Sequence, residues 1–289
     1  VVLEPLHPDD EITHVLTLAI LQGRADPPRL TILALFSVSA FEQLASSVEE
    51  IAKRCFRDQL AWDGIAARQQ ARWNFGIPDF TGDTLAARGL RYVFVQSQIF
   101  GILHRRVFRP FLLTSAYDGH DDFGLEPCLS MVSGMIGRKS LRREAVWRKL
   151  TMRAIFASAY GRKATEVVAT CVSREIMEKI QAITGANARP PLLQAIRSVA
   201  KAAVQVWRRA RLEWDLIYST MPSTTETDLD GSDADVMLWV RPHIVREELV
   251  SPTLRTASCV YLQGTAVRQD SPLVVARRQE LLGVGSAGG

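Results

Sequence analysis

The stretch Pro190-Pro191-Leu192-Leu193-Gln194-Ala195-Ile196-Arg197-Ser198-Val199-Ala200-Lys201-Ala202-Ala203-Val204-Gln205-Val206-Trp207-Arg208-Arg209-Ala210-Arg211-Leu212-Glu213-Trp214-Asp215-Leu216-Ile217 has the most regular pattern in the chain. Apolar residues recur at Leu193, Ile196, Ala200, Ala203, Trp207, Ala210, Trp214 and Ile217, in alternating steps of three and four. That period predicts a helix over residues 190–219, opened by the two prolines, whose fixed φ suits a first turn. Such a seam faces one or two neighbouring helices, and the alanines permit close approach. With other helices in the same chain, the seam is expected to be internal rather than a coiled-coil dimer.

Working upstream, helical segments are expected at about 165–184, with Thr165 as a cap and Gly185 as its stop, and at 140–160 and 126–137. Another runs from Thr84 to about Phe108, ended by Pro110, with Leu85, Tyr92, Val93, Ile99, Phe100, Leu103 and Val107 as its apolar positions. A long helix is expected from Arg29 to Ala67, with Phe41, Leu44, Val48, Ile51 and Cys55 on one face. The first would begin at Pro8-Asp9-Asp10-Glu11 and stop at Gly23.

Downstream, Pro222 to Asp235 holds five acids and no base, which reads as an acidic linker. Val236–Val240 and Ala257–Leu262 are β-type runs, expected to pair as a hairpin through a loop near Ser251-Pro252 and to pack on the helices. The end is glycine-rich. The chain therefore divides into a helical domain (1–221), the linker (222–235), a β-ribbon (236–268) and a flexible tail (269–289). The fold class is mainly α, a bundle of about seven helices with a small C-terminal β-ribbon.

With 289 residues, 47% hydrophobic and 23% charged, the composition excludes wholesale disorder and a polytopic membrane protein. The longest apolar stretch, Leu30–Phe41, falls short of the roughly 18 residues of a membrane span. The four cysteines are far apart and form no zinc or disulfide framework, which points to a reduced, intracellular setting, cytoplasmic or nuclear. The start, Val1-Val2-Leu3-Glu4-Pro5, carries no initiator methionine or leader pattern and suggests a piece of a longer protein.

Net charge is +4, from 29 arginines and six lysines against 31 acids. The linker contributes −5, leaving +9 elsewhere, of which +6 lies within residues 138–153. That segment carries Arg138, Lys139, Arg142, Arg143, Arg148, Lys149 and Arg153 against Glu144 alone. On a helix, five of them share much of one side, a stripe suited to phosphate contact. A solvated face balanced by acids elsewhere is the plainer alternative.

Other motifs fall short of chemistry. Gly134-Met135-Ile136-Gly137-Arg138-Lys139-Ser140 lacks the register of a phosphate loop and reads as a helix junction capped by Ser140. Glu11-Ile12-Thr13-His14 has no second copy to complete a di-iron site. Asp118-Gly119-His120-Asp121-Asp122 reads as a turn, and Asp228 to Asp233 fails the spacing of a calcium loop. No nucleophile elbow or Cys–His signature occurs. No metal or cofactor is expected.

The segment Arg91-Tyr92-Val93-Phe94-Val95-Gln96-Ser97-Gln98-Ile99-Phe100-Gly101-Ile102-Leu103-His104-Arg105-Arg106-Val107-Phe108, with Val236-Met237-Leu238-Trp239-Val240-Arg241-Pro242 and Ala257–Tyr261, resembles parts of uncharacterised filamentous-fungal proteins. The resemblance spans about residues 30–268. It implies a helical C-terminal region of a longer fungal protein, and it brings no activity or functional residue with it.

The expected role is a non-catalytic interaction or regulatory module, whose partner is another protein or the remainder of a larger chain, with no membrane involved. A nucleic-acid-associated regulator using residues 138–153 is the alternative. A helical enzyme joining His104 to Asp118–Asp122 is the third.

Overall fold

The computed structural model describes residues 31–55, 77–80, 82–112, 125–180, 189–221 and 236–286. Among them are seven helices: α1 (Thr31–Arg54), α2 (Leu85–Arg106), α3 (Leu125–Lys139), α4 (Leu141–Ala157), α5 (Ala159–Ile180), α6 (Arg189–Arg211) and α7 (Pro272–Ser286). Five strands accompany them: β1 (Leu216–Thr220), β2 (Val236–Arg241), β3 (His243–Ser251), β4 (Leu254–Leu262) and β5 (Thr265–Arg268). The protein is mainly α, with small antiparallel sheets at its C-terminal end.

The Pro190-Pro191 stretch forms α6, whose seam packs against α5 and α1 of the same chain. Ile196, Ala200, Ala203, Trp207 and Ala210 are buried as the period predicts, while Leu192 replaces half-buried Leu193 in the core. The helix ends at Arg211, not at residue 219. Leu216–Thr220 instead becomes β1, paired antiparallel with β3 so that Ile217 faces Arg246. Ile217 is fully buried there, a position that satisfies the helical period and the strand alternation alike. Local periodicity cannot separate the two; the long-range ladder decides.

An aromatic cluster ties the layers together. Phe41 of α1 stacks on Tyr261 of β4, with centroids 5.8 Å apart, and meets Phe108 and Trp207 edge-on. The Trp207 indole N–H donates to the Arg109 carbonyl at 2.7 Å, which satisfies the one polar atom such a buried ring carries. Cys55, at the end of α1, is buried in this core, and burial pushes its thiol up to about 12.

Several boundaries differ from expectation. The long helix stops at Arg54; residues 56–67 lie outside the described residues. In α2, Thr84 caps the start by accepting from Ala87 N–H, and Leu85 is 87% exposed rather than core, while Leu90, Phe94 and Val95 point inward. Helix α5 begins at Ala159, and Thr165 caps nothing: its hydroxyl donates to the Gly161 carbonyl one turn back. Ser158, extended between α4 and α5, accepts from Gly161 N–H instead. Gly185 and the 222–235 segment lie outside the described residues.

The β-type runs do not pair with each other. Turning at Ser251-Pro252, β3 pairs with β4, while β2 pairs with β5 in a separate two-stranded sheet. The first sheet has the order β1-β3-β4, so one of its strands precedes the acidic segment. The ribbon packs on the helices through contacts of β2 with α2 and of β4 with α1. Residues 272–286 form a helix where the glycine-rich ending suggests a tail. Its anchor is Arg277, which is buried and donates to the Asp79 carbonyl at 2.6 Å, while Leu273 fits over Gly89 of α2.

Candidate functional site

The basic run 138–153 does not lie on one helix. Ser140 breaks it, accepting from Arg143 N–H as the N-cap of α4, while Leu141 N–H donates to the Pro252 carbonyl of the β3–β4 turn. This is the helix junction expected at Gly134–Ser140. On either side of it, the seven cations have different environments.

Arg148 is interior, 1% exposed. Its Nε donates to Glu144 at 3.1 Å, and its terminal nitrogens donate to the Glu213 and Trp214 carbonyls at 3.2 and 3.1 Å. Glu144, itself buried, also accepts from Ser133 of α3 at 2.9 Å and Arg255 of β4 at 2.6 Å. Burial alone would raise the Glu144 carboxyl, but the Arg148 charge and the bond and charge of Arg255 hold it below the usual carboxylate range. Lys149 is half-buried with its ammonium 4.2 Å from the Trp214 ring centre, and burial lowers its pKa. Arg142 and Arg153 are half-buried. Arg138, Lys139 and Arg143 are exposed. Arg148 therefore joins α4 to the turn before β1 and does not belong to a surface stripe.

Sequence reasoning passed over the opposite side of α3. Glu126 is buried, and Leu129 packs against the core. The outer side carries exposed Cys128, Met131 and Met135, the two methionines at 63% and 60%. At 100° per residue, these three with Arg138 and Lys139 fall within an arc of about 100°, so an apolar stripe runs directly into two cations at the helix C-terminus. The basic end also suits the helix dipole. Gly134, on the same side of the helix, has no atom within 4 Å of where a Cβ would stand. The steps of three and four at Cys128, Met131 and Met135 were visible in the sequence, but such spacing ordinarily marks the core face.

His104, on α2, is half-buried. Its Nδ1 lies 3.0 Å from Ser219 Oγ of β1, and burial, with the neighbouring Arg105 charge, lowers its pKa. Asp118–Asp122, Glu11, His14 and Asp228–Asp233 lie outside the described residues. Among the described residues, no group of three or more His, Cys, Asp or Glu is placed to hold a metal ion, and no helix is long and apolar enough to cross a membrane.

Compared with protein-family models, with curated proteins and with solved structures, the chain matches none.

Proposed function

We propose that this chain is a non-catalytic helical interaction module of a larger intracellular protein, and that it docks an acidic amphipathic helix of a protein partner along the outer side of α3. The single observation that carries the reading is the exposed Cys128–Met131–Met135 stripe continuing into Arg138 and Lys139. Unbranched, polarizable methionines adapt to a partner's side chains and are over-used at helix-binding surfaces. Each is already about two-fifths covered, so burying the rest releases about 1–2 kcal/mol of hydrophobic free energy. The cations at the far end select an acidic partner and speed its approach.

The nucleic-acid reading shares Arg138 and Lys139 with this one and adds exposed Arg143 of α4. It loses Arg148 to the interior and Lys149 to Trp214. The remaining cations, exposed Arg138, Lys139 and Arg143 with half-buried Arg142 and Arg153, are divided between α3 and α4 and support only strongly salt-dependent contact. The His104 enzyme reading has the Ser219 contact alone in its support.

The test is fluorescence anisotropy with three labelled probes: an amphipathic helical peptide with leucine anchors and glutamates, the same peptide with lysines for glutamates, and a short DNA duplex. The acidic peptide alone is expected to bind. Preferential binding of the duplex would replace this reading with the nucleic-acid one.

A further inference from the structure

A groove of about 510 Å³ lies between α1 and the strands, away from the α3 surface. One wall is a single side of α1, where Glu42, Ala45, Ser46 and Glu49 follow the spacing i, i+3, i+4, i+7. The other combines Arg241 at the end of β2, Thr265 at the start of β5, and Val260 and Leu262 of β4.

Arg241 and Thr265 are register partners across β2 and β5. Arg241 Nε and Thr265 Oγ1 are both buried atoms without a hydrogen-bond partner. Both side chains line the groove, and a guanidinium beside a hydroxyl suits an acceptor that carries negative charge. Facing them, Glu49 is shared with Lys53 at 3.0 Å, whereas Glu42 has neither an ion pair nor a hydrogen bond among the described residues. The rest of the lining joins Ala45, Val260, Tyr261 and Leu262 to the polar Ser46 and Gln263.

We propose that this groove binds a small amino-carboxylate whose carboxylate and ammonium are separated by an aliphatic chain, such as an ω-amino acid or a basic amino acid. The carboxylate accepts from Arg241 and from the Thr265 hydroxyl. The chain lies over Ala45, Val260 and Leu262, and the ammonium donates to Glu42. Only a ligand charged at both ends satisfies both walls at once, which distinguishes it from a simple anion. This proposal is independent of the α3 reading, because the two surfaces share no residue.

Isothermal titration of the whole chain with 6-aminohexanoate, hexanoate, hexylamine, L-lysine and inorganic phosphate tests it. The expected result is that 6-aminohexanoate or L-lysine binds at least tenfold tighter than hexanoate, hexylamine or phosphate. Glu42→Gln, on an exposed helix position, should abolish the advantage over hexanoate while leaving hexanoate itself unchanged. Thr265→Val and Arg241→Gln should weaken every carboxylate. Equal binding of hexanoate and 6-aminohexanoate, tighter binding of phosphate, indifference to Glu42→Gln in a folded variant, or no binding at millimolar concentration would each overturn the proposal.

Discussion

Arg255 of β4 donates to Glu144 of α4 at 2.6 Å, joining residues 111 positions apart in the chain. Glu144 receives Arg148 and Ser133 at the same time, so one buried carboxylate links α3, α4 and the β3–β4 hairpin. Through Arg148 the link continues to the turn that ends α6. Removing the carboxylate would leave two cations without compensation in the interior. Glu144→Ala should therefore cost about 3–5 kcal/mol, measured by urea denaturation at neutral pH.

The same group predicts a pH dependence. The folded pKa of Glu144 is depressed below its ordinary 4.5, so its stabilisation is complete above 4.5 and is lost as pH falls through the lower folded value. Glu126 acts in the opposite sense: burial raises its carboxyl despite Arg109 and the Phe111 N–H, so protonation there favours the folded state. Wild type should accordingly lose more stability than Glu144→Gln on going from neutral pH to below 4.5. Parallel losses in the two proteins would show that Glu144 does not hold the charge assigned to it.

Gly161 allows the tight passage from α4 to α5. A Cβ there would stand 2.0 Å from the Ile155 carbonyl oxygen and 2.7 Å from its carbon, backbone atoms that cannot swing away. Gly161→Ala should destabilise by about 3 kcal/mol. Gly101, inside α2 with nothing within 4 Å, provides the contrast: Gly101→Ala should stabilise by about 1 kcal/mol. Thermal melts of the two variants should move in opposite directions.

Helix α7 is held by Arg277 and by the fit of Leu273 over Gly89, where an added Cβ would come within 2.6 Å of Leu273 Cδ1. Arg277→Met should loosen residues 272–286 without unfolding the helical core. Limited proteolysis should cut the variant first within α7, with the rest of the chain protected. Cleavage distributed over the whole chain would show that Arg277 supports more than this helix.

The sequence disclosed the helices best where burial is one-sided. In α6, Ile196, Ala200, Ala203 and Trp207 follow the period read from the residues alone. Its end is not legible in the sequence because Trp214 and Ile217 continue the helical spacing while Ile217 belongs to β1, and only pairing with β3 resolves the ambiguity. The strand partners differ from the expectation for a related reason: β-type composition does not encode register, and His243–Ser251 is rich in charged and polar residues, so it lacks the apolar signature of a strand. Charge was harder still. Arg148 looks like a surface cation beside Arg142 and Arg143, and its burial depends on Glu144 and on carbonyls 65 and 66 residues away. The α3 stripe was concealed by its own regularity, since Met131 and Met135 have the spacing of core residues and differ only in facing outward.

The central claim, docking along α3, is tested most directly by the ratio of affinities of the acidic amphipathic peptide for wild type and for Met131→Glu/Met135→Glu. Both positions are exposed, so the variant should stay within about 0.5 kcal/mol of wild-type stability. The account predicts at least a tenfold loss of affinity at unchanged stability. Equal affinity for the two proteins would contradict it.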